Sequence, residues 1–266
     1  MVSATRVAVD IGGTFTDVVL EHDGRRFTSK VLTTPTAPEV GVLEGLDDVA
    51  QQAAITPADI ALMIHGTTLA TNAIIERKGA RTALIATQGF RDTIDIADES
   101  RFDQYDVHIV KPQSLVPREL RFTVSERIDV TGKIQLPLDE SRVTELADQI
   151  RAENVEAVAV SLMHAYAHPA HERRLRDLLV ERLPGVAITL SSDVCPEVRE
   201  YERTSTAVAN AYVQPLMAGY LTRLQTALRE RGATAPIHLI TSGGTLTSVE
   251  TAVRFPIRLV ESGPAG

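Results

Sequence analysis

Cysteine is almost absent. Cys195 stands alone among 266 residues, so no internal disulfide can form, which suits a reducing compartment. Its setting, "SSDVCPEV", puts no base beside it, and the thiol reads as a buried bystander rather than a nucleophile. Basic residues are outnumbered, 27 against 35 acidic ones, for a formal charge of −8. Nucleic-acid binding by counterion release needs a basic face, so that class of partner is excluded. No apolar run reaches the ~18 residues of a membrane span. The opening "MVSATRVAVDIGG" enters a strand directly and has no apolar core or small-residue cleavage site of a signal peptide. These absences together predict a cytoplasmic protein. What is present is 44% hydrophobic and 23% charged residues of mixed sign, the balance of a globular chain with a real core. The length suits one large or two medium domains.

Residues 6–10, 16–21 and 26–33 predict three short strands. A Gly-Gly turn joins the first two, and "EHDGRR", with the hairpin signal Asp23-Gly24, joins the next two. A helix is predicted from about Glu39 to Ala53, with Val42, Leu46 and Val49 on one face. Thr56-Pro57 reads as a cap with proline at the first helical position. "ALMIHG" is a buried strand, "TTLATNAIIERKG" a helix stopped by Gly79, and "ARTALIAT" another buried strand. An antiparallel meander feeding βαβ units predicts an α/β fold with a ribonuclease H-like layer, a mixed sheet with flanking helices.

From Gly89 to about Pro117 the periodicity fades into an irregular excursion. "RFTVSERIDV", the turn "TGK" and "IQLPL" resume strand character. Helix "DESRVTELADQIRAEN", strand "VEAVAVSLM", helix "PAHERRLRDLLVERLPG" and strand "VAITLSS" predict a second parallel patch. The chain is then helical from Glu197 to Arg231, returns through "PIHLIT" and ends at "LVESGPAG". The expected division is 1–192, with an irregular insertion at about 90–130, followed by 193–266 as the start of a second region cut at Gly266.

"VDIGGTFTDVVL" (residues 9–20) is the first segment with chemistry in it. Glycines let a backbone approach a ligand closely, and successive amides form an anion nest. Gly12 and Gly13 with the hydroxyls of Thr14 and Thr16 are therefore candidates to cradle phosphate. Asp10 and Asp17 would repel phosphate directly; their natural use is to hold Mg²⁺, often through water. A plain hairpin, with glycine supplying positive φ, explains the turn by itself but not the flanking aspartates and threonines. The spacing matches neither GxxxxGK[ST] nor GxGxxG.

A second polar cluster is "HGTTLATN", where a strand gives way to a helix. Thr67 and Thr68 make a polar helix start, Asn72 lies one turn on, and His65 could donate to a carbonyl or move a proton. The plainer reading is a capping cluster with a satisfied histidine. Asp95, Asp98, Glu99, Arg101, Asp103 and Asp106 read as a solvated acidic loop rather than a metal rim, and Pro169 interrupts the histidines 164, 168 and 171. Arg203, Thr204, Thr206 and Asn210 share a helix, from which Arg203 could reach a phosphate or carboxylate. "SGGTLTS" (242–248) echoes "IGGTFTD" without its trailing aspartate.

"DIGGTFTDVVL" resembles the first phosphate motif of the acetate-and-sugar-kinase, heat-shock-chaperone and actin superfamily. More narrowly, the chain resembles the hydantoinase A / 5-oxoprolinase family. That match rests also on residues 65–92, 115–140, 160–179 and 201–217, with "SGGTLTS" and "ESGPAG". The resemblance implies an actin-like ATPase fold with ATP between two halves, and ATP-dependent opening of a cyclic amide such as 5-oxoproline or a hydantoin. ATP would phosphorylate the amide carbonyl oxygen before water attacks. Asp10 would then position Mg²⁺ and act in catalysis with His65, Thr67 and Thr68; Gly12, Gly13, Thr14, Thr16 and Asp17 would contact the nucleotide, and Asn72 and Arg203 the substrate. A B-type subunit or fused domain, and an oligomer, are implied as partners. Some relatives instead carboxylate ketones. A regulator of the actin-like ATPase class is the reading from outside enzymology. The second phosphate and adenosine motifs would lie beyond Gly266, so this stretch by itself is expected to be inactive.

Overall fold

The computed structural model describes residues 5–97 and 105–262. From β1 (Arg6–Ile11), β2 (Phe15–His22) and β3 (Arg25–Leu32) the chain passes through α1 (Pro38–Ala53), β4 (Leu62–Thr67), α2 (Leu69–Ile75) and β5 (Thr82–Thr87). Next come α3 (Thr93–Ile96), β6 (Arg121–Val124), β7 (Arg127–Ile128), β8 (Ile134–Leu136), α4 (Val143–Ala152) and β9 (Ala157–Ser161). Then follow α5 (Ala170–Arg182), β10 (Ala187–Leu190), α6 (Ser191–Val194) and α7 (Glu200–Glu230). β11 (Ile237–Ile240), β12 (Leu246–Ser248) and α8 (Val249–Arg254) end the regular structure. Among the described residues no helix is long and apolar enough to cross a membrane.

The chain packs as two compact units: one gathers residues 1–78 and 216–266, the other is the continuous stretch 79–215. The first unit holds a six-stranded mixed sheet in the order β12-β11-β4-β1-β2-β3. β1, β2 and β3 form the antiparallel meander, while β4 and β11 run parallel to β1. Five of these strands make the ribonuclease H-like layer predicted from the sequence, in an α/β fold. Alternation along β1 sends Val7, Val9 and Ile11 to the core and leaves Asp10 on the other face. The β2–β3 hairpin turns on Asp23 and Gly24, both at positive φ (47° and 73°), as a primed turn requires. Helix α1 lies close on the sheet because Gly45 carries no side chain. A Cβ there would stand 2.6 Å from Cγ2 of Val18.

The second unit has a four-stranded, all-parallel sheet, β10-β9-β5-β6, and the small β7–β8 hairpin. β5 and β9 are buried along their whole length, the pattern of parallel strands covered on both faces. Their core includes Leu84, Ile85, Val158, Val160, Leu175 and Ala211. The segment "ARTALIAT" therefore does not complete the first sheet, as the order of elements suggested. β11, about 150 residues later, takes the place beside β4, and β5 starts a sheet of its own. Periodicity reports that a strand is buried on both faces but is silent about which neighbour buries it.

The excursion from Gly89 to Pro117 is irregular apart from the single turn α3. It is not featureless, since Asp95 pairs with Arg121 and accepts from Ser114, and Asp92 pairs with Arg118. Asp98, Glu99, Arg101 and Asp103 lie outside the described residues. Among the described residues no group of histidine, cysteine, aspartate or glutamate is placed to hold a metal. The three histidines of "MHAYAHPAHE" separate accordingly. His171 bonds Glu126 at 2.7 Å, His168 donates to the Val130 carbonyl, and Nδ1 of His164 is buried without a partner.

Candidate phosphate-binding site

The carboxyl ends of β1 and β4 lie side by side, with Ile11 level with Thr67. The turn 12–14 follows one strand and the β4–α2 junction follows the other. Thr68 binds both together: its amide and its hydroxyl donate to the Ile11 carbonyl at 2.9 and 3.1 Å. Asn72 then donates to the Thr68 hydroxyl at 3.2 Å. The Asn72 amide lies against Gly13, where an added Cβ would stand 3.4 Å from Nδ2. Two segments 55 residues apart in sequence are thus one surface. The final stretch joins them, because the Ser262 hydroxyl donates to the Thr67 carbonyl and the Glu261 amide to the Thr71 hydroxyl.

Neither Gly12 nor Gly13 has positive φ. The conformational reason for glycine expected of a plain hairpin is therefore absent. Gly12 is favoured sterically, since a Cβ would stand only 3.1 Å from the Phe15 carbonyl. Its amide closes the turn onto that carbonyl, while the amides of Gly13 and Thr14 have no acceptor among the described residues. Both residues are exposed. Two neighbouring unpaired amides on an exposed turn are free to donate to an anion.

Asp10 stands on the sheet face opposite the core, directly across from Asp17 on β2 and Gly66 on β4. The glycine at 66 leaves it room, because a Cβ there would stand 3.0 Å from Oδ1 and push the carboxylate aside. Lys30, in register with Asp17 on β3, donates to both oxygens of that carboxylate at 2.7 and 2.8 Å. Partial burial, and then repulsion from Asp17, push the Asp10 carboxyl above its ordinary pKa, with Lys30 opposing. A cation beside Asp10 would relieve both effects. Asp17, already matched by Lys30, is a pin for the strands.

Three expected site residues are used elsewhere. Thr16 is fully buried and donates to the Thr33 hydroxyl at 3.0 Å; Thr33 in turn donates to the Gly12 carbonyl at 3.0 Å. Thr16 thus braces the turn from behind instead of facing a ligand. His65 is 1% exposed, and its neighbour in register is Val9, on the core face. Nδ1 faces the Val9 carbonyl at 3.4 Å, which can only accept, so Nε2 takes the Tyr220 hydroxyl hydrogen at 2.6 Å. Burial lowers the His65 pKa to about 4, and it is a neutral core group. Arg203 belongs to the second unit, is 1% exposed, and donates to the carbonyls of Glu197, Val198 and Leu162. Its two terminal nitrogens hold loops together, while Nε is buried without a partner. Burial also raises the thiol of Cys195, as a bystander's should be.

Sequence reasoning passed over Thr33, Gly66, Lys30 and Tyr220. Gly66 alone carried a local signal, a glycine inside a strand, which marks close approach by another group.

The sequence matches two known family profiles. The profile of the hydantoinase/oxoprolinase N-terminal region covers residues 6–183, and that of the hydantoinase/oxoprolinase region covers residues 203–266. The chain belongs to the hydantoinase/oxoprolinase family. It is 36% identical over 267 residues to the caprolactamase subunit alpha of Pseudomonas jessenii, covering 98% of this chain and 38% of that one. The crystal structure of the ATP-dependent caprolactamase from that organism superposes with a TM-score of 0.88 over 98% of this chain and 39% of its own. The nucleotide-free structure of an acetone carboxylase gives the same score at 26% identity, over 100% of this chain and 39% of its own. 5-Oxoprolinase 1 of Arabidopsis thaliana is 30% identical, covering 98% of this chain and 23% of its own length. The chain therefore spans about two fifths or less of the relatives it matches.

Proposed function

We propose that this chain is the N-terminal part of the A-type subunit of an ATP-dependent cyclic amide hydrolase, and that its first unit holds the phosphates of Mg-ATP. The reading is carried by the turn at Gly12–Thr14, whose Gly13 and Thr14 amides have no acceptor among the described residues and which directly follows the strand bearing Asp10. A resonance-stabilised amide resists water. Moving the γ-phosphoryl group onto its carbonyl oxygen, with release of ADP, turns that oxygen into a leaving group. Such transfer asks the protein for positioning and charge neutralisation more than for covalent chemistry.

Mg²⁺ fits these residues. It commonly takes one or two protein carboxylates and fills its shell with water and phosphate oxygens, and here the Asp10 carboxylate, its pKa raised, stands on the strand that leads into the turn with unpaired amides. When bound it would neutralise phosphate charge. Asp10 would hold it, Gly12, Gly13 and Thr14 would line the phosphates, and Thr67, Thr68 and Asn72 would fix the turn from the β4 side. The same proposal includes a B-type partner, an oligomeric assembly, a cytoplasmic setting, and residues 193–266 as the beginning of the second family region.

The test uses the full-length protein with its B-type partner. ADP release should require a lactam such as ε-caprolactam, or a hydantoin, together with Mg²⁺. ATPase activity that ignores lactams and follows a protein client would overturn the reading in favour of a regulator. The fold shared with acetone carboxylase supports one second reading, a ketone carboxylase subunit. Bicarbonate-dependent consumption of a ketone would select it.

A further inference from the structure

The first sheet carries a second Gly-Gly-Thr hairpin that the proposed site leaves unused. β11 lies parallel to β4 on the side away from β1, with Leu239 level with His65. The carboxyl ends of β1, β4 and β11 therefore reach one edge in a row. After β1 comes Gly12-Gly13-Thr14, after β4 comes Thr67-Thr68, and after β11 comes Ser242-Gly243-Gly244-Thr245 before the chain returns antiparallel as β12. At about 4.8 Å per strand, the two hairpins rise about 10 Å apart.

Accounting for the backbone of the second turn isolates one group. The amide of Thr241 donates to Thr245, Ser242 to Arg258, Gly244 to Thr241, and Thr245 to the Thr241 hydroxyl. Gly243 is left, exposed and with no acceptor for its amide among the described residues. Gly244 needs to be glycine, since its φ is +73°. Gly243 does not: its φ is not positive, and a Cβ there would meet nothing closer than the Thr241 hydroxyl at 4.0 Å. Neither conformation nor packing inside the chain accounts for a missing side chain. The remaining physical reason is a ligand that approaches the backbone closely.

We infer that the Gly243 turn is a second oxyanion-binding loop, which takes the oxygens of the phosphoryl group on its acceptor side while the Gly12–Thr14 turn keeps those of the nucleotide. This rests on the phosphoryl-transfer reading above. In the transfer the bond from phosphorus to the ADP oxygen breaks and the bond to the amide oxygen forms, so the phosphoryl oxygens need donors on both sides of the moving phosphorus.

Gly243→Ala tests it cleanly, because the methyl group enters open space and should leave the melting temperature unchanged. In the full-length protein with its partner, the variant should bind Mg-ADP within about twofold of wild type. Lactam-dependent kcat should fall about a hundredfold, because a methyl displaces the reacting group by about an ångström. Inhibition by orthovanadate with ADP, which mimics the transferring phosphoryl group, should weaken in parallel, and more so in Gly243→Val. Wild-type kcat and vanadate sensitivity in Gly243→Ala would overturn the inference. Should wild-type protein release no ADP with any lactam, the function reading falls by itself. Orthophosphate binding without nucleotide then decides this inference: a second bound phosphate in wild type that is lost in Gly243→Ala keeps it, and the same number bound by both proteins ends it.

Discussion

Asp10 combines two properties that rarely serve stability. Its carboxyl is partly buried beside a second carboxylate, and its pKa is raised for those reasons. The ionised form is the disfavoured one in the fold, and a neighbouring cation would favour it. Asp10→Asn should therefore abolish Mg-ATP-dependent turnover, by about a thousandfold, while its melting temperature at pH 7 equals or exceeds wild type. Because the raised pKa makes the ionised form the unfavourable one, that gain should vanish at acid pH, where wild type is protonated too. A fall in melting temperature would mean that Asp10 is structural. His65 gives the opposite sign. Its pKa drops from 6.5 to about 4, so the neutral ring stabilises the fold fully above pH 6.5. Roughly 3 kcal/mol should be lost as pH falls from 6.5 to about 4. Denaturant titrations over that range should be steeper with pH for wild type than for His65→Asn. Tyr220→Phe leaves Nε2 buried without its donor and should cost about 1–3 kcal/mol.

Among the elements, α1 and β2 show how small residues set a layer. Gly41 and Gly45 face Thr16 and Val18, and Thr16 is the residue that braces the Gly12–Thr14 turn through Thr33. Moving α1 outward therefore disturbs the site as well as the core. Gly45→Ala should destabilise by about 1–3 kcal/mol through overpacking and weaken nucleotide binding. Val18→Ala in the same chain should restore part of both, a coupling that a double-mutant cycle measures. Additive losses would show that the helix does not rest on Val18. In the second unit the buried Glu172 plays a comparable part, since it accepts from the amides of Leu162 and Ser192 and the hydroxyl of Ser191. One carboxylate so ties the loops that follow β9 and β10.

At the scale of the molecule, the two units differ in how the chain makes them. The first is assembled from residues 1–78 and 216–266, whereas the second is one uninterrupted stretch with its own core of Leu84, Val158, Val160 and Leu175. Helix α7 crosses from one to the other at Pro215, a helix-interior proline. Residues 79–215 expressed alone should fold, with helical and strand circular dichroism and one cooperative thermal transition. A spectrum of a disordered chain would show that the second unit depends on the first. The reverse cut should fail, because the first sheet loses β11 and β12 when the chain stops at residue 78.

Local order was legible in the sequence. Alternation in β1, the Asp23-Gly24 turn, the long helix over α7 and the unbroken apolar runs of β5 and β9 all follow from periods of 2 and 3.6, which a residue and its near neighbours set. The Gly-Gly-Thr turn and "HGTTLATN" were also legible as polar, ligand-ready segments. Tertiary structure alone decided what those segments face. Val9 is level with His65 and Asp10 with Gly66, so one step along β4 separates a histidine sealed in the core from a glycine packed against the Asp10 carboxylate. Register between strands 56 residues apart is a long-range pairing, and no local pattern specifies it. The same holds for Thr16 turned inward onto Thr33, for Arg203 spent on three carbonyls, and for β11 in the place β5 was expected to take. The sequence determined which residues could carry phosphate chemistry; pairing and burial decided which of them are free to do so.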